Sequence, residues 1–353
     1  MQRSKVAGVA ALALGVAAAT GLAWWATSTA GEQQVAARPA TQPSAATPAD
    51  VDGDGRSDLI VRRADDASFW VQASTDGPFT VAIGAPEDRP TMGDFDGDGR
   101  TDLAVIHDGA GPSTWTIQPS GDGASWTADL GQAGDVALPG DYDGDGRDDL
   151  AVFRPVPWGA PDTARAVWLI RRSSDDTVQS VEFGIGGDLP VPGDYDGDGR
   201  ADLAVQRDDT RWILRSGDAA TIAEQFGTAG DVPAALDRDG DGRTDLAVVR
   251  STDPTQTWYV RRGATDVATF GFGRSTPPYQ QRVIGDYDGD GTTEPAVFDA
   301  DGGVWWLYTG TEPTVVSWGR AGDVVAPFGV DPTLGLGPAE DPTAEPPAEP
   351  DGG

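Results

Sequence analysis

The 353-residue chain has no cysteine and a single histidine, His107. Without cysteine there is no disulfide, no thiolate metal site and no cysteine nucleophile. With one histidine, Ser-His-Asp, Cys-His and histidine-based metal sites are practically excluded. Basic charge is scarce as well. Lys and Arg number 25 against 57 Asp and Glu, for a formal net charge of −32, and Lys5 is the only lysine. So acidic a surface argues against nucleic acid and anionic membrane as partners, because phosphate recognition needs a basic face. It makes a cation the natural suspect. Beyond the N-terminal segment no stretch sustains a 3.6-residue apolar period, which speaks against helices. The 48 Gly and 27 Pro favour short strands joined by many turns.

What is present falls into four segments. MQRSK carries two positive charges, an apolar run follows from Val6 to Ala26, and Ser28 and Ala30 stand like the −3 and −1 residues of a signal-peptidase site. The run is long enough to span a bilayer core of roughly 30 Å, with Trp24 and Trp25 at its outer end as an interfacial belt. Residues 1–30 therefore read as an export segment, either a cleaved signal peptide or a retained signal anchor. The remainder is then secreted or held at the outer face of the membrane. Residues 31–48 form a polar, Ala/Pro-rich linker, and residues 331–353 a Pro- and acid-rich tail too poor in apolar side chains to order itself. Between them, residues 49–330 carry a repeat.

An acidic motif begins at Asp50, Asp94, Asp141, Asp194, Asp237 and Asp286, at spacings of 44, 47, 53, 43 and 49 residues. The copies read DVDGDGRSDL, DFDGDGRTDL, DYDGDGRDDL, DYDGDGRADL, DRDGDGRTDL and DYDGDGTTEP. A Trp follows each loop (Trp70, Trp115, Trp168, Trp212, Trp258, Trp305), then an apolar-Gly pair, and usually a Gly-Asp pair leading into the next loop. Each unit of about 47 residues holds four short strand candidates; in the fourth these are LPVPG, DLAVQR, RWILRS and TIAEQFG. Four strands at this period is the signature of a propeller blade. The fold class is thus all-β, a β-propeller of four-stranded blades, six in number, with seven including a degenerate one as the alternative. GDVVAPFGV (322–330) matches the run into a further loop but lacks its aspartates. The simplest reading is that it gives blade one its first strand and closes the ring.

Four carboxylates on nine residues repel one another strongly without a counter-ion, by several kcal/mol at ~4 Å and intermediate dielectric. The spacing supplies the remedy. Side chains at positions 1, 3 and 5 converge when Gly at positions 4 and 6 lets the backbone wrap around one point, and the carbonyl of position 7 and the carboxylate of position 9 complete a shell of six or seven oxygens. Such a shell fits Ca²⁺ better than Mg²⁺. The candidate ligands are Asp50, Asp52, Asp54, Arg56 (backbone oxygen) and Asp58 in the first loop; Asp94, Asp96, Asp98, Arg100 and Asp102 in the second; Asp141, Asp143, Asp145, Arg147 and Asp149 in the third. In the fourth they are Asp194, Asp196, Asp198, Arg200 and Asp202, in the fifth Asp237, Asp239, Asp241, Arg243 and Asp245, and in the sixth Asp286, Asp288, Asp290, Thr292 and Glu294. An EF-hand would need Glu at position 12, where this chain has Val61, Val105, Val152, Val205, Val248 and Val297 in apolar runs.

With six such loops over roughly residues 45–330, the chain resembles the FG-GAP/VCBS repeat family, whose blades also build integrin α-subunit propellers. The resemblance implies a β-propeller with Ca²⁺ held between the first and second strands of each blade, by positions 1, 3, 5 and 9 and the backbone oxygen of position 7. Five or six ions are expected. Copy six departs most, with Thr292 for Arg, Glu294 for Asp and Pro295 for Leu, so its site is expected to be weaker or differently shaped.

Six copies of one loop make a poor catalytic site, and the expectation is a non-enzyme. His107 stands where other copies have Arg63, Arg154, Arg207, Arg250 or Asp299, and reads as a surface replacement for Arg. The in-step tryptophans read as core between blades. Two departures from the repeat are candidate binding loops: RPVPWGAPDTA (154–164) with Trp158, and FGFGRSTPPYQQR (270–282) with Arg274 and Tyr279. The functional expectation is a monomeric, exported, calcium-binding scaffold for an extracellular protein, glycan or cell-wall partner. A carbohydrate-binding lectin is the alternative, and a polysaccharide lyase or hydrolase stands behind both.

Overall fold

The computed structural model describes residues 47–325 apart from 158, 162, 253, 275–279 and 311. Residues 1–30, read above as an export segment, most of 31–48, all of 331–353, Trp158 and Tyr279 lie outside the described residues. The described chain forms six four-stranded antiparallel sheets, each one blade of a propeller. In blade four, for example, the strands run Leu189–Pro190, Leu203–Arg207, Thr210–Leu214 and Thr221–Gln225, in sheet order. The sequence motif maps onto this order directly: the acidic loop joins the first strand to the second.

Ring closure follows the predicted route. The innermost strand of blade one is Val324–Val325, which pairs with Leu59–Arg63 through Val61↔Val325 and Arg62↔Val324. Residues 326–330 of the same fragment lie outside the described region. The alternative of seven blades is not realised; there are six.

The four strands of a blade differ in burial, and their sequences say why. Second strands such as Leu59–Arg63 are buried along both faces, and they read as continuous apolar runs, as doubly covered strands do. Third strands alternate, with Thr114–Gln118 and Val167–Arg171 burying every second side chain. Fourth strands such as Val178–Glu182 face solvent on the rim and carry polar residues. All six position-12 valines sit in second strands and are buried, so none of these loops is an EF-hand.

Cores lie between neighbouring blades, and Trp115, Trp168, Trp258 and Trp305 are fully buried there. Each indole removes roughly 150–250 Å² from water, on the order of 4–6 kcal/mol at about 25 cal/mol/Å². Each also answers a hydrogen-bond demand. The indole N–H donates to the carbonyl before the glycine of its own blade: Leu130, Phe183, Phe272 and Trp318, at 2.9–3.0 Å.

Two tryptophans do not follow the expectation. Trp70 and Trp212 lie one residue further along the third strand, and a one-residue step turns a side chain to the other face. Phe69 and Arg211 occupy the core position in those blades. The two tryptophans are only partly buried and lie against guanidiniums instead, Arg63 at 4.0 Å from the Trp70 ring and Arg207 at 5.3 Å from the Trp212 ring. The carbonyl that loses its indole partner gains another donor from the second strand. Arg62 Nη2 donates to Ile83 O at 3.0 Å, and Gln206 Nε2 to Phe226 O at 3.3 Å. A buried backbone oxygen left without a donor is costly, and all six blades avoid it.

Candidate metal centres

Each acidic loop is folded around its position-1 carboxylate. In loop one, Gly53 N donates to Asp50 Oδ1 at 2.6 Å and Gly55 N to Asp50 Oδ2 at 2.8 Å. Gly53 and Gly55 hold φ of 76° and 87°, a backbone region that costs an L-residue with a Cβ about 1–2 kcal/mol. The same pair of bonds recurs around Asp94, Asp141, Asp194, Asp237 and Asp286.

The position-9 carboxylate is clamped by backbone on two sides. Asp58 Oδ2 accepts Val51 N at 2.8 Å, and Oδ1 accepts Ser74 N, from the turn between the third and fourth strands, at 2.8 Å. Asp102, Asp149 and Asp202 are held in the same way by Phe95 and Ser120, Tyr142 and Ser173, and Tyr195 and Ser216.

These clamps aim carboxylates at one another. In loops one to five, oxygens of positions 1, 3 and 9 lie within 4.8 Å of each other: Asp50, Asp52 and Asp58; Asp94, Asp96 and Asp102; Asp141, Asp143 and Asp149; Asp194, Asp196 and Asp202; Asp237, Asp239 and Asp245. Position 5 stands outside these five groups. Asp54, Asp98, Asp145, Asp198 and Asp241 each accept the N–H of position 7 at 2.9–3.0 Å. The arrangement is electrostatically expensive. Burial, reinforced by the neighbouring loop carboxylates, pushes Asp58 and Asp102 up to about 7, and Asp149, Asp202 and Asp245 up to about 6. Asp52 Oδ1 is buried with no hydrogen-bond partner. Converging carboxylates and an orphaned buried oxygen fit a hard cation taking oxygen ligands. A bound cation would supply the positive charge these groups lack.

The sixth loop has the same backbone and a different closing group. Glu294 Oε2 accepts Tyr287 N at 3.1 Å, as position 9 does elsewhere, but Oε1 is met by side chains of residues Arg238 and Thr292.

The loops are also joined to one another, which single-repeat reasoning missed. The N–H of position 8 donates to the position-1 carbonyl of the preceding loop at all six junctions, at 2.6–2.7 Å, and Ser57 N→Asp286 O closes the circle. In copy three, Asp148 at position 8 also accepts Asp94 N through its side chain at 2.8 Å. The position-7 arginine crosses the same junction. A Cβ on Gly53 would lie 2.7 Å from Arg100 Nε, and the corresponding glycines Gly97, Gly144, Gly197 and Gly289 face Arg147, Arg200, Arg243 and Arg56. Arg at position 7 with Gly at position 4 was the visible signal for this.

At the opposite end of the blades a second set of ion pairs recurs. Asp135, Asp188, Asp231 and Asp323 bind Arg154, Arg207, Arg250 and Arg63 at 2.7–2.9 Å. His107 takes the arginine's place, with Nδ1 2.7 Å from Asp88 Oδ1, and the Asp88 carboxylate raises its pKa. The junction of blades five and six reverses the pair: Arg274, from the lengthened connection, binds Asp299 on the second strand at 2.5 Å. The two candidate binding loops belong to blades three and five, which blade four separates, and Arg274 is committed to Asp299.

Fold and loops together define an acidic, cation-ready β-propeller of six blades. The FG-GAP-like repeat profile matches residues 50–105, 94–152 and 237–297. The chain thus carries three FG-GAP-like repeats within a six-bladed β-propeller. No curated protein matches the sequence. Among solved structures it is similar to a functionally unknown protein from Desulfotomaculum acetoxidans DSM 771, with 14% identity, a TM-score of 0.43, and coverage of 77% of this chain and 90% of that one. It is also similar to the V. cholerae biofilm matrix protein Bap1, with 13% identity, a TM-score of 0.22, and coverage of 78% and 70%.

Proposed function

We propose that the protein is an exported, calcium-binding β-propeller that acts as a binding or adhesion scaffold for an extracellular or cell-wall partner. The observation that carries the reading is the convergence of three carboxylates, at positions 1, 3 and 9, in each of at least five loops. Their charge is unfavourable without a cation, and extracellular calcium modules work at about 10⁻⁴–10⁻³ M. The leader at residues 1–30 supports export. The role is non-catalytic: the repeated loops hold ions, and His107 is an ion-pair partner of Asp88. Thermal unfolding of the full chain at 2 mM Ca²⁺ and in EGTA tests the reading. Mass action requires a clear rise in melting temperature with calcium, and identical transitions would overturn it.

A carbohydrate ligand is the second reading, favoured by one observation. A cavity of about 500 Å³ opens between blades five and six, lined by Phe272 and Trp306 beside Arg274, Asp299 and Gln280. Aromatic faces with a few convergent polar groups suit a sugar ring and its hydroxyls. Glycan-array binding that is lost in Trp306→Ala would support it, and a blank array would count against it.

A further inference from the structure

We infer that the sixth acidic loop is closed by an arginine in place of an ion, so that the propeller takes five calcium ions. The inference rests on the calcium reading above and concerns which loops can take part. Loops one to four and loop six each meet one position-7 arginine from the following blade at the position-4 glycine, and in loop four Arg215 also pairs with Asp196 at position 3. At the junction of blades five and six that arginine is missing: position 7 is Thr292, and Gly240 faces the threonine and the Gly291 backbone. The cation comes from the other side. Arg238, at position 2 of loop five, reaches across with Nη1 3.0 Å from Thr292 Oγ1 and 3.2 Å from Glu294 Oε1.

Three consequences follow for loop six. Among the described residues, Glu294 is the only position-9 carboxylate held in an ion pair. Its Oε1 accepts from Arg238 at 3.2 Å and lies 3.0 Å from Thr292 Oγ1, whose single proton is also within reach of Asp290 Oδ1 at 2.7 Å. In loops one to four each oxygen of the position-9 Asp takes one backbone N–H, and none of these carboxylates is paired with a guanidinium. Loop six also has a guanidinium on its other flank, where Arg56 Nη2 donates to Asp288 O at 2.5 Å. A divalent ion there would meet one fixed positive charge on each side and a closing carboxylate already paired. The longer glutamate side chain and the shift of arginine from position 7 to position 2 then form one compensated change.

Calcium bound per chain, counted by native mass spectrometry and by equilibrium dialysis at saturating Ca²⁺, tests this on the full-length protein. Wild type should hold five ions. Arg238→Tyr, which places at position 2 the residue found in loops three, four and six, should hold six. Asp286→Asn should leave the count at five, whereas Asp194→Asn should lower it to four. Six ions on wild type, five on Arg238→Tyr, or a loss caused by Asp286→Asn would each overturn the inference while leaving the calcium reading intact. No ion on wild type would overturn the calcium reading itself.

Discussion

Replacing Asp202 by Asn separates what the carboxylate does for the chain from what it does for an ion. Asp202 is fully buried and accepts Tyr195 N at 3.1 Å and Ser216 N at 2.8 Å. Asn keeps one acceptor and turns an NH₂ toward the other N–H, which costs about 1–3 kcal/mol for the unpaired donor. Against this, burial and the charges of Asp196 and Asp194 lift Asp202 to about 6. Ionising it at neutral pH in the calcium-free protein therefore costs about 3 kcal/mol at about 1.4 kcal/mol per pKa unit. Neutralisation returns that amount, and the two effects nearly cancel. In EGTA the variant should melt close to wild type. With calcium at a hundred times Kd, wild type gains about 2.7 kcal/mol from this site that the variant lacks, and the gap should open to several degrees. Differential scanning calorimetry of both proteins in both buffers reads the result. An equal gap with and without calcium would refute the reasoning, because the cluster would then be a hydrogen-bonding device alone.

The calcium-free protein should lose stability as pH rises from about 4 to about 7, since Asp58, Asp102, Asp149, Asp202 and Asp245 bind protons more tightly folded than unfolded. Urea midpoints across that range check the sign, and a midpoint that climbs with pH contradicts it. Trp168→Phe removes both the donor to Phe183 O and part of a fully buried ring; a loss of about 1–3 kcal/mol from the stranded carbonyl is expected on top of the cavity cost, and calorimetry showing no loss would contradict it. Gly144→Ala places a Cβ at φ 80°, 2.7 Å from Arg200 Nε. A cost of about 1–2 kcal/mol from the backbone, plus displacement of Arg200, should appear in calorimetry even without calcium.

Blade architecture was legible because each repeat is a local unit: the loop, the apolar second strand and the alternating third strand lie within some thirty residues of one another. Closure was legible for a similar reason, since GDVV at 322–325 repeats the approach to a loop that never comes. What lay hidden crosses from one repeat to the next. The position-8 N–H bonds and the Arg100-to-Gly53 type of contact join residues some 47 apart, and no periodicity within a blade announces them. The tryptophan slip had a readable sign. In the pairing of second and third strands, Phe69 and Arg211 fall in the slot that Trp115 and Trp168 occupy, and Arg62 and Gln206 opposite them bring the donors that the missing indoles would have supplied. At loop six the substitution of Glu294 was visible, but its cause was not, because Arg238 belongs to the motif before it.

Long-wavelength diffraction from crystals of the full chain grown in millimolar calcium tests the central claim most directly, by locating ions through their anomalous signal. The account predicts five peaks, each among the carboxylates of positions 1, 3 and 9 in loops one to five, with Arg238 against Glu294 in the sixth. Crystals that diffract well and show no peak in any loop would contradict it.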